Sequence, residues 1–337
     1  MFNFGIVGCG AISAVYLEAI SKLDRAEITG VFDINPVQGT AFAERCGAVY
    51  YSTLEKLLNS DVDAVCICTP SGLHASIVIL AANAGKNIVV EKPIGITVEQ
   101  LDAVAFACDK NKVKLCAISQ MYFSDAFQKL KKAVDEGRLG KTFLADLSMK
   151  FFRSDEYYRS GGWRGTWKMD GGGALMNQGI HGVGLLCELL GPVKSVTALT
   201  RTFVHPIEVE DTAVVNLEFK NGALGNIVAT TSVTPGKPRV LSIHGTKGTV
   251  VLTESVITEW SIEGENSPVP NNQPIRTSAS NPSNMTSELH RRQLEDFINS
   301  LENGTEPVLS INEGRMTIDL ILGIYSSSQT GKPVYFE

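Results

Sequence analysis

The chain has 337 residues, 44% of them hydrophobic and 20% charged, with a formal net charge of −6. At roughly 100–200 residues per domain this is two domains, each apolar enough to close a core without a metal or disulfide staple. The acidic balance speaks against nucleic acid as a partner, because phosphate contacts need a basic face, and no apolar run is long enough to span a membrane.

In chain order, short apolar runs at 4–7, 28–32, 64–68, 88–90 and 115–118, with a weaker one at 49–51, predict strands. Helical stretches at 14–23, 37–45, 54–59, 75–84 and 98–110 fall between them. Nearly all-apolar strands alternating with helices are what a parallel sheet covered on both faces requires. After about residue 120 the pattern changes. A helix is expected over 126–136, a strand over 143–150, then an aromatic, Arg- and Gly-rich loop and a helix over 173–190. At 212–219 alternation puts Ala213, Val215, Leu217 and Phe219 on one strand face. Asn221-Gly222 signals a hairpin, and Lys247-Gly248 a turn between strands at 240–244 and 249–252. Residues 267–284, rich in Pro, Asn and Ser, read as a surface loop, and helices over 287–303 and 312–328 close the chain. The expected fold class is α/β: an N-terminal Rossmann domain over 1–120 and a C-terminal α+β domain over 121–337 with a large, mostly antiparallel sheet. The last helices are candidates to pack back on the first domain.

The seven cysteines, an odd number without a CxxC pair, read as free thiols in a reducing compartment. With no basic leader before the first strand, the expected location is the cytoplasm. The spacing of His205, His244 and His290 suggests no metal site.

The segment Gly8-Cys9-Gly10-Ala11-Ile12-Ser13 follows a strand and opens a helix. The first glycine permits a tight turn, and the second lets the backbone approach a pyrophosphate held on the positive end of the helix. Ser13 stands where the fingerprint has a third glycine. Asp33 ends the second strand, where a carboxylate accepts from the adenosine ribose hydroxyls. Ile34 and Asn35 carry no charge to balance a 2′-phosphate, so the expected cofactor is NAD, not NADP.

Two further segments carry a resemblance. Glu91-Lys92-Pro93 ends a buried strand, and Gly171-Gly172-Gly173-Ala174-Leu175-Met176-Asn177-Gln178-Gly179-Ile180-His181 opens a helix in the second domain. With Thr69-Pro70 and His74, these resemble the glucose–fructose oxidoreductase / inositol dehydrogenase family across nearly the whole chain. Tyr157-Tyr158, Trp163 to Trp167, Met176-Asn177-Gln178 and Glu208 to Thr212 are most similar to its nucleotide-sugar-acid 3-dehydrogenases. The resemblance implies an NAD(H)-dependent oxidoreductase moving a hydride between the nicotinamide and a secondary alcohol of a sugar, cyclitol or sugar acid; the alternating strands of the second domain leave one sheet face needing cover, so a homodimer or homotetramer is expected. It implies that Gly8 and Gly10 hold the pyrophosphate, with Ala11, Ile12 and Ser13 also at the cofactor, and that Asp33 holds the adenosine ribose. Thr69, Pro70 and His74 would line the cofactor cleft, and Glu91 would contact the nicotinamide ribose. Lys92 would reach cofactor and substrate, His181 would be the acid/base, and Trp163 and Arg164 would close over the nicotinamide end.

Three positions depart from many relatives: Asn177 stands for Asp four residues before the histidine, Gly184 for Asp three after it, and Met121-Tyr122-Phe123 for Asn-Arg-Phe. Asn177 and Tyr122 are therefore expected at the substrate, with Lys92 and His181. Oxidising an alcohol needs a group to take the hydroxyl proton and a donor or positive charge at the developing alkoxide; His181 and Lys92 supply them. The glycine run before the helix would clear space for a ligand. An alternative on the same scaffold is a non-catalytic NAD-binding regulator, which needs neither residue.

Overall fold

Along the first 120 residues run β1 (Phe2–Val7), α1 (Ser13–Ile20), β2 (Ala26–Phe32), α2 (Pro36–Cys46), β3 (Val49–Tyr50), α3 (Leu54–Leu58), β4 (Ala64–Ile67), α4 (His74–Asn83), β5 (Asn87–Val90), α5 (Val98–Asn111) and β6 (Leu115–Ala117). They belong to a computed structural model that describes residues 1–267, 269, 275, 277–280 and 286–337. The surface loop expected at 267–284 falls largely outside the described residues. Local chemistry sets the helix ends. The Asn35 side chain accepts from Val37 N and Gln38 N ahead of Pro36, and Gly47, left-handed, ends α2. Thr97 caps α5 through Gln100 N. The six strands pair in the order β3-β2-β1-β4-β5-β6, all parallel.

The remaining elements are α6 (Asp125–Asp135), β7 (Thr142–Lys150), α7 (Asp155–Arg159), α8 (Ile180–Leu190), β8 (Val193–Arg201), β9 (Thr212–Phe219), β10 (Leu224–Thr230), β11 (Val240–Gly245), β12 (Gly248–Thr253), β13 (Val256–Ile262), α9 (Glu288–Asn303), α10 (Ile311–Thr330) and β14 (Val334–Tyr335). The chain divides into two compact units, 1–120 with 286–315, and 121–285 with 316–337. In the first, Leu294, Phe297 and Ile298 of α9 join Phe4, Ile6 and Tyr16 in one core. All seven cysteines are unpaired, and burial pushes the Cys9 and Cys116 thiols up to about 12.

In the second unit eight strands pair in the order β13-β12-β11-β7-β10-β9-β8-β14, antiparallel except for β7 with β10. Ala213, Val215, Leu217 and Phe219 are buried on one face, and the Asn221-Gly222 turn joins β9 to β10, with Gly222 at φ +86°. One expectation is corrected. The stretch 173–190 is not a single α-helix: Ala174–Gly179 is π-helical, and α8 begins at Ile180. Glu210 caps the start of this stretch: its carboxylate accepts from Gly173 N and Leu175 N and its carbonyl from Ala174 N, first-turn amides that have no acceptor within the helix.

Candidate active site

In the first unit the loops after β1, β2, β4 and β5 leave the carboxyl edge of the sheet, around the point where strand order reverses between β1 and β4. Ligands of open α/β sheets bind there. Gly8 has φ +92°, and a Cβ on it would stand 3.0 Å from the Cys68 backbone and from Thr69, so the turn needs glycine. A Cβ on Gly10 would meet nothing within 4 Å. Ala11 and Ile12 complete the turn. No side chain caps α1, which leaves its backbone donors and the positive end of its dipole for an anion. Ser13 is buried and donates to Gly10 O at 2.6 Å, staying within the space a third glycine would keep clear. Asp33 Oδ2 accepts from Cys9 N at 2.7 Å and Oδ1 from Asn35 N at 2.7 Å, which fixes the carboxylate beside the glycine turn. Gln38 Nε2 donates to Cys9 O.

Past β4, Thr69 Oγ1 is buried without a hydrogen-bond partner among the described residues, and Pro70 precedes a single tight turn, Ser71–Leu73. His74 is buried, with Nδ1 2.7 Å from Pro93 O and Nε2 2.7 Å from Thr69 O. Burial lowers its pKa more than the two carbonyls raise it. Both ring nitrogens face main-chain carbonyls and the neutral ring donates to one of them, so His74 packs between the loop after β4 and the loop after β5. Glu91 is 7% exposed. Its Oε1 accepts from Tyr16 Oη at 3.1 Å and stands 3.7 Å from His290 Nε2, and its Oε2 accepts from Lys92 N at 3.2 Å. Lys92 is half-buried, and the Lys92–Pro93 peptide is cis. Burial and the adjacent Glu91 carboxylate push the Tyr16 phenol well above its ordinary pKa.

In the second unit, Asn177 lies in the π-helical turn and His181 in the first turn of α8, both half-buried. Asp170 Oδ1 accepts from Asn177 Nδ2 at 2.7 Å and Oδ2 from Gly165 N at 2.9 Å. Glu210 accepts from Gly173 N at 2.9 Å, Leu175 N at 2.9 Å and Tyr325 Oη at 3.0 Å. Burial still pushes its carboxyl up to about 7. A Cβ on Gly172 would come within 2.1 Å of Tyr325 Oη, and one on Gly173 within 1.8 Å of Glu210 O. At these two positions the glycines make room for the protein's own Tyr325 and Glu210, and not for a ligand as the sequence reading had it.

The loop after α7 packs by stacking. The Arg164 guanidinium lies 4.7 Å from the Tyr157 ring and 5.1 Å from that of Trp163. Tyr157 Oη accepts from Gln178 Nε2 at 3.1 Å, and Gln178 Oε1 is buried without a partner among the described residues. Tyr158 is buried, hydrogen-bonded to Thr231 Oγ1 at 2.8 Å and packed on His205, so it is a core residue. Tyr122 packs on Phe123 and Phe127, and burial raises its pKa. The sequence reading missed Tyr16, His290, Asp170 and Tyr325, and gave Glu210 no role. All five are buried; Tyr16, His290, Glu210 and Tyr325 have partners far off in the chain, whereas Asp170 meets Gly165 and Asn177 five and seven positions away and stands directly before the glycine run.

Comparison with known proteins agrees with the fold of both units. Residues 2–119 match the model of the oxidoreductase family with an NAD-binding Rossmann fold, and residues 127–251 match the GFO/IDH/MocA C-terminal domain. The WlbA dehydrogenase of Bordetella pertussis, whose crystal structure holds NADH and UDP-GlcNAcA, is 34% identical, with a TM-score of 0.89 over 100% of this chain and 99% of that one. The WlbA enzyme of Chromobacterium violaceum, solved with the same two ligands, is 33% identical, with a TM-score of 0.90 over 100% and 96% of the two chains. The inositol 2-dehydrogenase of Rhizobium meliloti is 28% identical over 329 residues, 94% of each chain. With a family model over each half and relatives matched end to end, the chain belongs to the GFO/IDH/MocA family of NAD-dependent oxidoreductases.

Proposed function

We propose that this chain oxidises a secondary hydroxyl of a nucleotide-linked sugar acid, with Lys92 and His181 as catalytic residues. The observation that carries the substrate class is the end-to-end similarity to the two WlbA enzymes, each solved with NADH and UDP-GlcNAcA. The uncapped start of α1, the open space at Gly10 and the unpartnered Thr69 Oγ1 fit a dinucleotide. Gly8, Gly10, Ala11, Ile12 and Ser13 form the pyrophosphate turn. Asp33 keeps a lone pair on each oxygen for the adenosine ribose, and Thr69, Pro70, Trp163 and Arg164 complete the cofactor contacts.

NAD held at the Gly8–Ser13 turn would supply the acceptor for the hydride of the carbinol carbon. Lys92 donates to the alcohol oxygen and stabilises its negative charge, and His181 takes up the hydroxyl proton. Glu91, held by Tyr16, fixes the backbone of Lys92 through its amide, and His74 packs between the neighbouring Pro93 and Thr69. Asn177 orients the substrate, since an amide takes up no proton at neutral pH. The spare Gln178 Oε1 offers a sugar hydroxyl an acceptor. Tyr122 borders the substrate at its apolar side.

Two coarser properties complete the proposal. Leu199, Val214 and Leu224 are exposed on the sheet face opposite α8, and Val214 pairs directly with Leu199. That apolar face suits a homodimer or homotetramer, and a monomer in sedimentation velocity would remove the assignment. Seven unpaired cysteines suit the cytoplasm.

NADH formation across a panel of UDP-GlcNAcA, free sugar acids and inositol tests the function. The proposal expects turnover of the nucleotide-linked acid. Turnover of inositol alone would move the substrate class, and NADH binding without oxidation of any alcohol would favour the regulator.

A further inference from the structure

The position four residues before His181 is an amide, and a buried carboxylate addresses it. Asp170 is 1% exposed. One of its oxygens is fixed by the loop's own backbone, at Gly165 N, and the other receives Asn177 Nδ2. Gly165 N is itself anchored, since Gly165 sits at φ +74° with Ile207 packed where a Cβ would go. A carboxylate only accepts, so it selects the nitrogen end of the amide and turns Asn177 Oδ1 to the opposite side. Asn177 then presents what a carboxylate would present at that position, a hydrogen-bond acceptor, but without the charge.

We infer that Asp170 is a positioning residue that sets the polarity of Asn177, and that the negative charge stands at buried Asp170 so that position 177 stays neutral toward an anionic substrate. The second clause rests on the proposed sugar-acid reading; the first does not. The two side chains have complementary roles: one bond needs one donor and one acceptor, and either residue can supply either. Exchanging them keeps the bond and an acceptor at 177 while moving the charge there.

The test compares D170N, N177D and the exchanged double variant D170N/N177D with the wild type, using NAD and UDP-GlcNAcA. In D170N the amide oxygen stays on Gly165 N, so the NH2 faces Asn177 and selects its oxygen end, turning the Asn177 amide over, and kcat falls by about 10–100-fold, the cost of a misplaced group near the chemistry. NADH affinity stays within about twofold, because the pyrophosphate turn is untouched. The double variant recovers kcat to within about threefold, whereas its KM for UDP-GlcNAcA stays about tenfold or more above wild type from like-charge repulsion. A purely structural Asp170 would not split the two constants. Wild-type kcat in D170N, or a double variant no faster than D170N, overturns the positioning role; a wild-type KM in the double variant overturns the charge placement.

If the wild type does not oxidise UDP-GlcNAcA, the substrate reading and the charge placement fall with it. The positioning role is then read from hydrogen exchange of the Asn177 side-chain amide by NMR on the ligand-free protein. Exchange is slow in wild type and about tenfold or more faster in D170A, since a lost hydrogen bond of roughly that strength removes the protection; equal rates overturn it.

Discussion

The proposed role of Asp33 predicts discrimination between cofactors by charge, and the burial of Glu210 predicts a link between stability and pH. Two like charges at about 4 Å near a protein surface repel by about 4 kcal/mol. NADPH, with its 2′-phosphate near Asp33, should therefore bind roughly 100-fold or more weaker than NADH, and D33S/I34R should narrow that gap; equal affinities in wild type would show that Asp33 does not face the ribose. Glu210 works on the protein itself. Its folded carboxyl sits at about 7 against an ordinary value of 4.5, with burial as the main cause. The folded state therefore holds the proton longer than the unfolded chain, and stability falls as pH rises from 4.5 to about 7. The loss is about 3 kcal/mol at most, at 1.36 kcal/mol per unit. Urea unfolding of wild type and E210Q at pH values on either side of this window checks it. The wild-type midpoint drops more than that of E210Q; identical slopes would remove Glu210 as the titrating group.

At the scale of elements, two glycines of similar appearance in the sequence do different work. A methyl at Gly10 enters open space, so G10A should fold with wild-type stability and lose NADH affinity. A methyl at Gly173 meets Glu210 O at 1.8 Å, so G173A should lose about 1–3 kcal/mol, as overpacked sites do, together with turnover. Stability and NADH titrations of both variants separate the cases, and a G173A protein as stable as wild type would contradict the packing account. This contrast also marks what the sequence could yield. Strand–helix alternation, the Gly8–Ser13 turn and the Asn221-Gly222 hairpin are local, and each was legible because one backbone requirement selects one residue type. The π-helical turn was not, and Glu210 and Tyr325, which cap its first amides and crowd its glycines, lie 35 or more residues off. Likewise Asn177 was read as a lost carboxylate, whereas Asp170, seven positions earlier, sits against it through a fold that spacing does not encode.

For the whole molecule, the two compact units divide the proposed labour: one carries the dinucleotide turn, Asp33 and Lys92, the other Asn177 and His181. In each unit, buried neighbours from distant segments meet residues beside the proposed catalytic ones: His290 of α9 stands against Glu91, and Tyr325 of α10 donates to Glu210, which caps the turn ahead of His181. The account's central claim is that Lys92 and His181 perform the proton chemistry of alcohol oxidation, and turnover of UDP-GlcNAcA by K92A, H181A and the double variant, with NADH binding measured alongside, tests it most directly. Positioned acid/base groups contribute about 10²–10⁴-fold in rate, so each single variant should lose kcat by that factor while still binding NADH. The double should be little worse than the worse single, because the two act as one unit. Wild-type turnover in both single variants would contradict the catalytic assignment.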